Sequence, residues 1–99
     1  ADYRLSARAG ADIREIAAYT IARFGIEQAR RYRDGLESEL RLVAAEPALG
    51  GDASELAPRL RRRAYESHVI FYVPEATGVL IVRVLHQRMD FARHGLTKD

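Results

Sequence analysis

The 99-residue chain contains no cysteine. A disulfide framework and a thiolate metal site are therefore both excluded, which fits a reducing compartment. It also lacks any run of eighteen apolar residues, so no segment reads as a membrane-spanning helix. The first residues do not have the basic-then-apolar layout of a signal peptide, and the expectation is a soluble, cytoplasmic protein. Lysine is nearly missing: fifteen of the sixteen cationic side chains are Arg and only Lys98 is Lys. With sixteen Ala in the same chain, that bias is assigned to genome composition, and only the clustering of Arg is used as a signal. Excess charge is scarce too, because a net +2 does not by itself mark a nucleic-acid binder. A chain of this length buries roughly two-thirds of its unfolded surface around one core, so residues 1–99 are expected to form a single domain.

The charge that is present lies unevenly. Residues 1–50 carry eight Arg and eight Asp or Glu, whereas residues 59–94 carry seven Arg against three acids. The basic half also holds the strand formers. His68 to Val73 is β-branched and aromatic, the PEATG run breaks it, and Val79 to Leu85 resumes it, which predicts a β-hairpin. Only Arg83 is charged between Val79 and Leu85, so neither face of the second strand reads as solvated. One cover is expected from the chain's own helices and the other from a different molecule.

The helices are legible upstream. Asp2 to Ser6 alternates polar and apolar residues as a short half-buried strand does, and Ser6 is placed to cap a helix beginning at Ala7. From Ala7 to Phe24, Ile13, Ile16, Ala17, Thr20, Ile21 and Phe24 recur at helical spacing, and Gly25 supplies a left-handed stop. A second stripe through Ala29, Tyr32, Leu36, Leu40 and Val43 predicts a helix over Ile26 to Glu46, ended by Pro47. Gly35 lies inside it, which points to close packing of the two helices there. Pro47 to Pro58 reads as a surface loop with one helical turn at Ser54 to Leu56, and Arg59 to Glu66 as a strand. Alternation puts Arg61, Arg63 and Tyr65 on one side of that strand and Leu60, Arg62 and Ala64 on the other. Met89 to Leu96 suits one or two helical turns. The order β-α-α-β-β-β predicts an α+β fold, with an N-terminal helical hairpin on one face of a mainly antiparallel sheet and a short C-terminal helix.

The succession of YRLS, A-x-A-D-I-x-x-I-A-x-Y, the P-A-L-G loop, S-H-V-I-F-Y and R-V-L-H-Q-R-M-D resembles the ParE branch of the RelE/ParE toxin superfamily, from Tyr3 to about Asp90. The resemblance implies a RelE/ParE-like fold and a bacterial toxin of a type II toxin-antitoxin system. It implies a hetero-oligomer with a ParD-type antitoxin, whose ribbon-helix-helix head binds DNA and whose C-terminal segment wraps the toxin. It further implies DNA gyrase as the target, stalled in its cleaved-DNA state, with DNA touched only through antitoxin or gyrase. The RelE branch instead cuts messenger RNA on the ribosome.

Ribonuclease chemistry would need an acid, a base and cations on the phosphate. Its candidates are Arg83, His86, Arg61 and Arg63, with Tyr65 or Tyr72 as proton donor. Nuclease relatives place a Tyr or His at the C-terminal end of the site, and here no tyrosine comes after Tyr72, while His94 lies in the tail. By parity His86 shares a face with Leu80, Val82 and Val84, and Arg83 points the other way, so the two converge only through a bulge. His86 is read as a structural imidazole hydrogen-bonded to backbone or Asp90. Glu66 and His68 on one strand face fall short of a metal site, and neither metal nor cofactor is expected. The Arg59–Arg63 run is either a solvated edge or a receiver of acidic partner groups, and Tyr19, Tyr32 and Phe24 read as core or rim packing. The expectation is therefore a non-enzymatic toxin. Its antitoxin occupies the sheet face opposite the helices and is contacted by Arg61, Arg63, Tyr65, Arg83 and Arg88.

Overall fold

Ser6 decides where the first helix begins. In the computed structural model, which describes residues 2–97, its hydroxyl accepts a hydrogen bond from the Ala9 amide at 3.0 Å, satisfying one orphan donor of the first turn. Ahead of it lies β1 (Asp2–Leu5), and behind it α1 (Ala7–Phe24). Gly25, with φ +91°, closes α1 and opens α2 (Ile26–Ala45) within a single residue. That left-handed conformation suits glycine, and it folds the two helices back on each other.

A 3-10 turn (Pro47–Leu49) leads into β2 (Gly51–Asp52), then β3 (Arg61–Tyr65), β4 (His68–Glu75) and β5 (Gly78–His86), and a last 3-10 turn spans Phe91–Arg93. The sheet order is β1-β5-β4-β3-β2, with β1 parallel to β5 and the other pairs antiparallel. The expected architecture is present, with three local differences. Pro47 to Pro58 is not all loop, because Gly51 and Asp52 pair with Arg62 and Arg61. The strand expected over Arg59 to Glu66 covers only Arg61 to Tyr65: Arg59 adopts φ +64° before it, and a two-residue turn of Glu66 and Ser67 comes next, Glu66 adopting φ +52°. Gly35 does mark a close approach, but not of helix to helix: a Cβ there would overlap the Tyr65 hydroxyl, which comes from β3.

Two cores sandwich the sheet. On the helical side, Leu36, Leu40 and Val43 of α2 and Ala9 of α1 pack on Ile70, Tyr72, Ile81 and Val84. Each fully buried aliphatic or aromatic side chain there contributes about 1.5–3 kcal/mol. The Tyr72 hydroxyl donates to Pro47 O at 2.7 Å and accepts from Gly50 N at 2.8 Å, which fastens the turn after α2 to the core. On the other side, Val69, Phe71, Val73, Leu80, Val82 and Leu85 are buried under Ala53, Ala57 and Leu60, with Leu96 and Phe91 closing the end. The Phe71 and Phe91 rings meet edge-on at 4.9 Å. The sheet face expected to await another molecule is therefore sealed by this chain. Small residues in the 53–60 segment let the loop lie flat on the strands, and no helical or strand periodicity announces such a cover.

A cleft between the helical hairpin and the end of the sheet

β1 is shorter than the strand it borders. It pairs with β5 only from Gly78 to Ile81, leaving the later backbone groups of β5 without a strand on that side. The first turns of α1 take over. Ser6 N donates to Ile81 O at 3.0 Å, the Ser6 hydroxyl donates to Val82 O at 2.7 Å, and Val84 N donates to the Asp12 carboxylate at 3.0 Å. Where the edge partner changes, β5 holds one extra residue: Ile81 faces Tyr72 and Arg83 faces Phe71, so Val82 has no counterpart. This is a β-bulge, and it reverses the parity of every later residue in the strand.

The expected face assignment of His86 is thereby corrected. Val84 packs with Ile81 against the helices, whereas Leu80 and Val82 lie in the opposite core. His86 comes two residues after Val84 and pairs with His68 instead of sharing a face with Leu80 and Val82. Arg83 and His86, expected to diverge, line one cleft.

Arg83 is nevertheless fully engaged. Its Nε and Nη2 donate to both Asp12 oxygens at 2.7 and 2.8 Å, and its Nη1 donates to the His94 carbonyl. The Asp12 pair holds the guanidinium even more firmly charged than usual, against the opposing effect of burial. The other expected contact residues also lie elsewhere than anticipated. Tyr65 packs with the helical-side core and its hydroxyl donates to Tyr32 O at 3.1 Å. Arg63 Nε meets Glu39 of α2 at 3.0 Å. Arg61 donates to Ala48 O at 3.0 Å and to Gly50 O, strapping the turn after α2. These three stand on the helical side of the sheet, opposite to the face assigned from the sequence. Of the five, Arg88 has an exposed side chain, and its backbone N–H donates to His86 Nδ1 at 3.1 Å. Asp90, the alternative partner expected for His86, instead lies 3.3 Å from Arg93.

The cleft measures about 820 Å³ and runs between the far end of the helical hairpin and the ends of β4 and β5. Its floor is a chain of rings. The Tyr32 hydroxyl is hydrogen-bonded to His68 Nδ1, the Tyr32 and His68 rings meet edge-on at 5.5 Å, and the His68 and His86 rings do so at 5.4 Å. Burial, and then the neighbouring Tyr65 and Glu66, push the Tyr32 hydroxyl well above its ordinary range, so it keeps its proton and donates it. Burial and the adjacent His86 push the His68 imidazole down, only partly offset by Asp12. A neutral His68 therefore accepts at Nδ1 and carries its proton on Nε2. The walls are mixed, and their large apolar side chains are open to solvent: Tyr19 and Phe24 are 61% and 62% exposed, with Met89 at 44%. Sequence periodicity assigned Tyr19, Tyr32 and Phe24 to packing; only Tyr32 packs, because the hairpin tip projects past the sheet. No group of three or more metal-ligating side chains occurs among the described residues, and none of their helices is long and apolar enough to cross a membrane.

Comparison with known proteins agrees with this architecture. Residues 3–91 match the family described as ParE toxin of type II toxin-antitoxin system, parDE. The chain is 41% identical over 92 residues to Toxin ParE1 of Caulobacter vibrioides, covering 93% of this chain and 95% of that one. It is 43% identical over 89 residues to Toxin ParE of Escherichia coli, covering 89% and 86%. A solved structure titled Chromosomal ParDE TA system from P. aeruginosa superposes with a TM-score of 0.74 at 15% identity, over 86% of this chain and 94% of that chain, and so shares the fold. Strand order, helical hairpin and sequence together make this chain a member of the ParE family of type II toxin-antitoxin toxins.

Proposed function

We propose that the toxin acts by binding alone: it holds bacterial DNA gyrase in its cleaved-DNA state, and a ParD-type antitoxin neutralises it by seating a segment in the cleft beside Tyr32, His68 and His86. The observation that carries this reading is the condition of the cations. A phosphate-cutting site needs uncommitted positive charge near its acid and base. Here the Arg83 guanidinium, the one arginine in the cleft's lining, is closed by Asp12 and His94, Arg61 and Arg63 are engaged away from the cleft, and of the expected cations Arg88 alone keeps an exposed side chain, outside that lining. His68 is held by Tyr32 and His86 by the Arg88 amide. The cleft offers instead an exposed aromatic and aliphatic surface, which suits a polypeptide segment. Arg88 and Met89 at the rim supply direct contacts. Tyr65 and Arg83 act indirectly, by fixing Tyr32 and Asp12 in the walls, while Arg61 and Arg63 brace the turn after α2 and α2 itself. Gyrase is affected by preferential binding to one of its conformational states. The place of action is the bacterial cytoplasm, with DNA touched only through gyrase or antitoxin.

The test is direct. Purified toxin incubated with gyrase, ATP and supercoiled plasmid is expected to accumulate linear DNA once protein is removed. Intact plasmid, together with cleavage of messenger RNA on ribosomes, would reverse the reading in favour of a RelE-type nuclease.

A further inference from the structure

Resting on the reading that the cleft seats an antitoxin segment, we infer that this segment presents apolar anchors flanked by Lys or Arg, and that Glu15 and Glu66 receive them. The chain as a whole is basic, at net +2, yet its cleft is not. Its charged lining comprises Asp12, Glu15 and Glu66 against Arg83, beside three histidines. Asp12 and Arg83 cancel one another in a bidentate pair. Glu15, on α1, and Glu66, in the turn between β3 and β4, are exposed, and neither has an ion-pair partner among the described residues. The two carboxylates therefore stand on different walls of one cleft.

Their field reaches into it. Glu66 is among the groups that hold the Tyr32 hydroxyl protonated, and Glu15 is among those that hold Arg83 charged. An incoming acidic side chain meets like charge on both walls, whereas a basic one gains two partners and lays its aliphatic stem along the aromatic surface. The one arginine in the cleft's lining, Arg83, is already closed by Asp12, and Arg62, Arg63 and Arg4 are matched by Glu55, Glu39 and Glu75, so among the expected contact cations Arg88, just outside the lining, is the one left with an exposed side chain. Tyr19, Phe24 and Met89 supply the anchoring surface in the same cleft.

The experiment measures the affinity of the full toxin for its co-expressed ParD-type antitoxin by calorimetry or displacement, at low and high salt. Glu15→Gln with Glu66→Gln is expected to weaken binding about fivefold, as two modest ion pairs do, and to flatten its salt dependence. Phe24→Ala, at the same cleft, is expected to weaken it without changing the salt slope. If Phe24→Ala weakens binding while the paired glutamine variant leaves it unchanged or tightens it, the antitoxin sits in the cleft but the charge inference is wrong. If neither set of changes matters, the docking reading itself fails.

Discussion

Replacing Asp12 by Ala would remove three bonds with one side chain, those to Arg83 Nε at 2.7 Å, Arg83 Nη2 at 2.8 Å and Val84 N at 3.0 Å. The two charged side chains are only 9% and 15% exposed, so solvent does little to replace the lost partner. Leaving one member of such a pair uncompensated costs roughly 3–5 kcal/mol, and the orphaned Val84 amide accounts for about 1–3 kcal/mol of destabilisation within or beside that figure. Because Arg83 keeps some access to water, about 4 kcal/mol is expected in total. Against a stability of about 5–15 kcal/mol for a domain of this size, the variant folds marginally, and its Tm falls by about 15–30 °C. Urea unfolding monitored by far-UV circular dichroism measures the loss. A cycle with Arg83→Met separates the pair from the rest, and a coupling of about 2 kcal/mol or more is expected, since the double variant buries no lone charge. A single-variant cost under about 1 kcal/mol, or a coupling near zero, would refute the claim that this pair holds the bulge and α1 together.

The same contacts set three further outcomes. Gly35→Ala drives a methyl group into the Tyr65 hydroxyl and is expected to cost about 1–2 kcal/mol by overpacking despite the gain in helix propensity; in a Tyr65→Phe background the same change is expected to be close to neutral by thermal melting. His68 has a folded-state pKa below its ordinary 6.5, so as pH falls the unfolded chain takes up the proton first. Stability is then full above about pH 6.5 and declines below it, and a pH series of urea midpoints should lose part of that slope in His68→Gln. Phe24→Ser removes a side chain that is 62% exposed, so stability should change by no more than about 0.5 kcal/mol, while antitoxin affinity should fall by about tenfold or more.

Much of this architecture is legible in the residues. Ser6, Gly25 and Pro47 punctuate the helices through capping, a left-handed stop and a missing donor, and local rules of that kind survive any tertiary context. The hairpin of β4 and β5 is legible for the same reason, because PEATG separates two strong strand formers. The bulge at Val82 is not. It arises where β1 runs out and α1 replaces it as the edge partner, a consequence of relative lengths in three dimensions. Without it His68 would face Leu85, and the ring chain from Tyr32 to His86 would not exist. The closed face escapes for a related reason: Ala53 and Ala57 cover strands by being small, and small residues carry no periodic signal. Tyr19 and Phe24 lie on a faultless helical stripe yet stay in solvent, because periodicity reports which face is apolar and not how far the neighbouring sheet extends.

The most direct measurement of the proposed docking site is hydrogen–deuterium exchange of the protein alone and mixed with the proposed ParD-type antitoxin. Protection is expected in the segments around Tyr19 to Tyr32 and His86 to Met89, with the 53–60 cover unchanged. Protection concentrated on that cover, with the segments around Phe24 and His86 exchanging as before, would place the partner on the far face of the sheet and contradict the cleft as the working surface.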